Sequence, residues 1–317
     1  MKLAIAATIA LSATIVSVAP AGASGDGGLT FTTAHTNMVM ISVGGGKPVP
    51  ATFDTGSVGL QIYDFAVGKA VTPAKDKPGV RMYGGGRVFH VKYAMAKVAI
   101  EGISTVKPIE IAIVTEKSCS DGHCADLTGA ALAAAAKKSG RIGILGVGFG
   151  GVGVTPNPIR ELPAKYNDGY VVSNEGISLG LASASGFKTV SQPAAKVAGA
   201  FGKLFNACLT IAKTTLKNGC SPTLFDTGNG SVTVAPSQLA KLPTTSTTAK
   251  AVVPGAVDWS FTGGGPHQIS FHSHAPAVLG LPFLTSYDVE IDLADGKYGF
   301  HKRAKAAPFS AMRNQET

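Results

Sequence analysis

The stretch FDTGSVGLQI at residues 53–62 returns as FDTGNGSVTV at residues 225–234, which sets Asp54 and Asp226 172 positions apart. Farther along each half, GILGVGF at 143–149 is matched by AVLGLPF at 277–283. A single Asp-Thr-Gly is ordinary turn chemistry, because Asp bonds its own backbone and Gly relaxes the bend. Two such triplets, each behind a Phe and each followed by an aliphatic-Leu-Gly run in the same order, describe a duplicated lobe. The period is domain-sized, too long for a solenoid.

The 317 residues suffice for two domains of about 100–200 residues each. Charged residues make up only 15% and glycines number 40, while Val, Ile and Thr recur in short segments bounded by Gly or Pro. This pattern predicts many short strands and few helices. NMVMISVGGGKPVPATFDTG reads as a hairpin turning at Gly44-Gly45-Gly46. GGGK there is no phosphate loop, since neither Ser/Thr nor a helix follows Lys47. A second hairpin spans residues 80–102 with its tip at Gly84-Gly85-Gly86 and a period of two along Val88–Met95. One helix is expected at 125–140, Ala-rich, with Lys137 and Lys138 before Gly140, and a short one at APSQLAKLP.

The first 23 residues combine Lys2, an apolar stretch from Leu3 to Val18 and a small-x-small Ala21-Gly22-Ala23, which reads as a secretory signal peptide. No other segment is apolar enough to span a bilayer. A secreted or periplasmic protein is expected. In such a compartment four cysteines imply disulfides, and short loops favour Cys119 with Cys124 and Cys208 with Cys220. The spacing around His123 matches no zinc site, and His272 with His274 lacks a third ligand, so no metal is expected. Net charge is +9 without a Lys/Arg tract, which argues against nucleic acid as a partner.

With the two Asp loops and the two glycine runs in place, the chain resembles the pepsin-like aspartic proteases, of bacterial type. The resemblance covers residues 37–301, and it includes MYGGG at the place of that family's flap hairpin and VLGLPFLTSYDVEIDLADGKYGF as its C-terminal block. It implies an all-β, pepsin-like bilobal fold: two related β-barrel-like lobes with a few short helices. The expected lobes are residues 24–174 and 175–317. It further implies an aspartic endopeptidase with Asp54 and Asp226 as the catalytic pair, water as nucleophile, a polypeptide substrate, no cofactor and a monomeric chain. Thr55, Gly56, Ser57, Thr227, Gly228 and Asn229 are the implied loop supports. Tyr83, Gly84 and Gly85 are the implied flap. A catalytically silent relative that binds peptides, inhibitors or envelope components is the alternative.

The sequence departs from the family at three points. Gln61 stands where a Trp commonly bonds the flap Tyr, and Asn229 stands where a Ser or Thr commonly donates to the second Asp. The interval from Asp226 to Gly280 is 54 residues against 92 from Asp54 to Gly146, so a trimmed second lobe is expected. Residues 24–36 are too few for an inhibitory pro-segment.

Overall fold

The computed structural model describes residues 29–31, 37–74, 78–120, 122, 124–150, 155–181, 186–190, 203–239, 248–262, 269–271 and 276–305. The leader, His123, His272 and His274 lie outside the described residues. Strands dominate and are arranged in three sheets. Two of these curl into half-barrels, which gives the expected bilobal all-β architecture.

The reason for the duplicated motif is topological. In the first half, Val49–Asp54 runs into the Asp54 loop and Val58–Tyr63 runs out of it. The strand Gly143–Val147 is threaded between them, parallel to the first and antiparallel to the second, so that Gly146 lies beside both Asp54 and Gly59. The second half repeats the plan. Thr214–Phe225 leads in, Val232–Val234 leads out, and Ala277–Leu279 sits between them with Leu279 against Phe225 and Val232. Gly146 has no room for a side chain, because a Cβ there would lie 2.7 Å from the Val58 amide nitrogen and 2.8 Å from the Gly59 carbonyl oxygen. The aliphatic-Leu-Gly run is therefore the floor of each Asp loop.

The third sheet joins the halves. Gly169–Val172 pairs antiparallel with both Ile177–Leu179 and Tyr287–Asp292, and the latter pairs with Lys297–Lys302. Beneath the loops the core is continuous. Phe53 packs edge-on against Tyr170 at 5.0 Å, and Phe225 packs against Phe283 at 6.2 Å. Both Phe residues that precede the Asp pair are wholly buried. Burying such a ring contributes about 1.5–3 kcal/mol, which holds each loop to its floor.

The period of two along Arg87–Ala96 carries a phase change. Phe89 and Val91 are buried, then Ala94 and Ala96. The strand serves two cores. Phe89 and Val91 join Ala112, Val114 and Leu132 in a small cluster beneath the flap hairpin, while Ala94 and Ala96 belong to the main core. The helix is shorter than its composition suggested, running Gly129–Ser139, because Leu127–Thr128 pairs with Glu116 and Lys117 instead. It stops at Gly140, whose φ of 67° is left-handed, with Lys137 and Lys138 in the last turn. The short helix expected at APSQLAKLP is a 3-10 turn over Pro236–Gln238, with the residues from 240 outside the described set.

Candidate active site

Each Asp ends a strand, and the Thr after it reaches across to the other loop. The Thr55 hydroxyl donates to the Phe225 carbonyl at 2.8 Å and accepts from the Thr227 N–H at 3.0 Å. The Thr227 hydroxyl donates to the Phe53 carbonyl and accepts from the Thr55 N–H at 3.1 Å. Both Thr residues are buried, so these bonds exclude water as well as orient the loops. Asn37, which sequence reasoning missed, adds a further cross-link by donating from Nδ2 to the Thr227 carbonyl at 2.6 Å.

This clamp brings the carboxyl groups of Asp54 and Asp226 into hydrogen-bond contact. The Gly56 N–H donates to Asp54 Oδ1 at 2.8 Å, and the Gly228 N–H donates to Asp226 Oδ1 at 2.7 Å. The glycines are required by the approach itself. A Cβ on Gly228 would stand 2.8 Å from Asp54 Oδ1, and one on Gly56 would collide with the Asp226 carboxyl. The Ser57 hydroxyl donates to Asp54 Oδ2 at 2.6 Å. Burial, then the charge of Asp54, holds the Asp226 carboxyl well above the ordinary carboxylate range.

The loops differ at their fourth position. Asn229 does not donate to Asp226. Its Nδ2 donates to Thr233 Oγ1 at 2.9 Å, and its Oδ1 accepts from the Ser231 N–H at 3.0 Å and the Ser231 hydroxyl at 2.9 Å. Ser270 closes this network at 2.8 Å from Ser231. Asn229 thus supports the second loop from behind. The sequence signal was the polar alternation Asn229-Ser231-Thr233, which marks one face of the strand leaving the loop.

Tyr83 closes the strand Gly79–Tyr83, and Gly84–Gly86 forms a 3-10 turn at the hairpin tip. The Tyr83 hydroxyl faces the Ser57 side chain and the Asp54 carboxylate. Burial and then the Asp54 charge push its phenol up, so it stays a neutral donor. Gln61 takes no part in this. It is buried on Val58–Tyr63, and its Oε1 has no hydrogen-bond partner among the described residues. Tyr83 is therefore positioned by edge contact with Phe89 at 5.6 Å.

Two further tyrosines, not expected at the site, lie beneath the pair. Tyr170 donates to the Val147 carbonyl at 2.9 Å, and Tyr298 donates to the Lys203 carbonyl at 3.3 Å. Burial first, with lesser contributions from the Asp54 charge at Tyr170 and the Asp226 charge at Tyr298, raises both phenols. Asn157 holds the end of the threaded strand by donating to the carbonyls of Val147 at 2.6 Å and Gly148 at 2.7 Å.

A family model described as the PE-PGRS C-terminal aspartyl peptidase-like domain matches residues 28–261. The chain belongs to that family. The aspartyl peptidase-like match takes in both Asp loops, the flap hairpin and both cysteine pairs, and it stops before the threaded strand Ala277–Leu279. No curated protein matches the chain.

The cysteines are joined as the short loops suggested, Cys119 to Cys124 and Cys208 to Cys220. Cys208 and Cys220 are direct cross-strand partners between Phe205–Ile211 and Thr214–Phe225, the strand that delivers Asp226. Among the described residues no helix is long and apolar enough to cross a membrane, and no three His, Cys, Asp or Glu side chains are grouped to hold a metal ion. A cavity of about 600 Å³ near Lys188, Val253, Tyr287 and His301 is lined by none of the Asp-loop or flap residues.

Proposed function

We propose that this chain is an exported endopeptidase of the pepsin-like type, in which Asp54 and Asp226 activate a water between them. The observation that supports this most is the reciprocal Thr55–Thr227 clamp, which holds the two carboxyls in contact. Two carboxylates so close cannot both ionise, so the pair retains one proton at moderate pH. Burial and the facing Asp54 charge raise the Asp226 carboxyl, and the Gly56 N–H and the Ser57 hydroxyl donate to Asp54. The ionised member takes a proton from water as it attacks the peptide carbonyl, and the protonated member donates to the carbonyl oxygen. The resulting gem-diol collapses when a proton passes to the leaving nitrogen. The pair titrates as a unit, so these roles belong to the pair through the cycle.

Tyr83 and Ser57 place further proton donors on the side from which the flap covers the substrate. The signal peptide and the disulfides support export, and a lobe division near residue 174 belongs to the same reading. The deciding experiment incubates purified protein with an unfolded protein substrate from about pH 3 to about pH 7, with and without pepstatin. Cleavage that is strongest in acid, blocked by pepstatin and lost in Asp54→Asn and Asp226→Asn is expected. Pepstatin-resistant cleavage, or full activity in either variant, would falsify the mechanism. Binding of the peptide without cleavage at any pH would favour the catalytically silent alternative.

A further inference from the structure

Arg81 stands two residues before Tyr83 on the strand Gly79–Tyr83, so both side chains leave the same face. That face is turned toward the first Asp loop, because Arg81 reaches Thr155 against Val58 and the Tyr83 hydroxyl lies in the field of Asp54. Val80 and Met82 take the opposite face and are 55% and 68% exposed. Arg81 is instead half-buried. Its Nη2 donates to Thr155 Oγ1 at 3.1 Å, and its guanidinium lies 5.8 Å from the centre of the Tyr93 ring. Thr155 is itself buried and lies against Val58, the first residue of the strand leaving the Asp54 loop. The guanidinium is thereby held between the flap strand and the edge of the first Asp loop.

Among the described residues no carboxylate pairs with Arg81. The contact with Thr155 uses one of its several N–H donors, on a neutral hydroxyl. Elsewhere in the first half Lys107 pairs with Glu161 at 3.3 Å. A planar cation partly withdrawn from water, oriented by a ring and a hydroxyl, with donors unspent, matches a carboxylate that arrives with a ligand. The excess of 28 Lys and Arg over 19 Asp and Glu adds a field that draws acidic chains in.

We infer that Arg81 is a specificity-determining residue, selecting peptide substrates that place a Glu or Asp side chain between the flap strand and Thr155. The inference rests on the endopeptidase reading above for its turnover readout, and a binding readout separates the two.

The test scans a peptide substrate with Glu, Gln and Lys at each position around the scissile bond. The wild-type protein should show one position where kcat/KM for Glu exceeds that for Gln by roughly 10-fold or more, as expected for a charge-assisted pair. Arg81→Gln should bring that ratio toward one, Arg81→Lys should keep part of it, and Arg81→Glu should turn the preference toward Lys. If Arg81 only braces the flap, all peptides fall alike and the ratio does not move, which overturns the inference. In the second arm, labelled Glu and Gln peptides are titrated against Asp226→Asn with and without Arg81→Gln. Tighter binding of the Glu peptide that disappears with Arg81→Gln sustains the inference even if the wild-type protein cleaves nothing, in which case only the hydrolytic reading falls. Equal binding of both peptides, together with no Glu preference in turnover, overturns it whatever becomes of hydrolysis.

Discussion

Thr55 and Thr227 each donate to the carbonyl that precedes the other's Asp and each accept the other's backbone N–H. The consequence is that neither Asp loop is complete alone. Replacing either Thr by Val keeps the shape and strands a buried N–H and a buried carbonyl. We expect a loss of about 2–6 kcal/mol for Thr227→Val, since each of the two orphaned buried groups costs about 1–3 kcal/mol. Thr227→Ser should recover most of it. Denaturant unfolding measures both, and cleavage activity should fall with the Val variant and return with Ser. A Thr227→Val protein as stable as wild type would contradict a clamp of this kind.

The raised Asp226 carboxyl makes stability depend on pH with a definite sign. Its folded-state pKa lies above the unfolded value, so the native state binds the proton more tightly. The stabilisation is complete below the unfolded carboxylate pKa of about 4 and is lost as pH rises through the folded value. Asp226→Asn cannot ionise. Its stability relative to wild type should therefore climb as pH rises from about 4 toward neutrality, by about 1.4 kcal/mol for each unit by which the native carboxyl is raised. Thermal unfolding at several pH values follows this. A wild-type-to-variant gap that stays constant with pH would show that the carboxyl is not perturbed.

Ser57 Oγ donates to Asp54 Oδ2 at 2.6 Å, and the Tyr83 phenol faces the same two groups. Tyr83→Phe and Ser57→Ala should each lower kcat/KM by roughly 100-fold, the lower end for loss of a donor that acts on transition-state charge. The double variant should lose much less than the product, because both side chains act beside the same carboxylate and are close enough to couple. Independent, multiplicative losses would mean that Tyr83 acts on substrate without Ser57. Gln61→Leu is a useful companion, for its Oε1 is buried without a partner, and activity near wild type is expected from it.

The two disulfides should differ in worth. Cys208–Cys220 spans 12 residues and Cys119–Cys124 spans 5. Loop closure makes the longer one stronger by about 0.7 kcal/mol, with a total of about 3 kcal/mol for a loop near that length. Replacing both Cys208 and Cys220 by Ala should lower the unfolding midpoint more than replacing Cys119 and Cys124. The reverse order would point to strain or residual structure in the unfolded chain.

Much of the fold could be read from the chain because its strongest signals are local and repeated. Phe-Asp-Thr-Gly needs its Thr and Gly at fixed offsets from the carboxylate, and aliphatic-Leu-Gly needs a residue without Cβ where two strands press on a third. Such requirements leave the same letters wherever they recur. The cysteine pairs were legible for a related reason, since short loops close most readily. The short strand Leu127–Thr128 was not, because a helix-like composition was overridden by pairing with a distant strand.

What no reading of the letters could supply is where each polar side chain spends its hydrogen bonds. Asn229 looked like a donor to Asp226 and instead binds Ser231 and Thr233. Gln61 looked like a partner for Tyr83, yet its Oε1 is buried without a hydrogen-bond partner among the described residues. Asn37 and Arg81 carried no motif, yet one ties the loops together and the other sits beside the flap. The sequence by itself determined the duplicated lobes, the two carboxylates and the glycines that let them approach. Only the tertiary structure decided which donors face those carboxylates, because a hydrogen bond turns on a few tenths of an ångström between residues up to 190 positions apart.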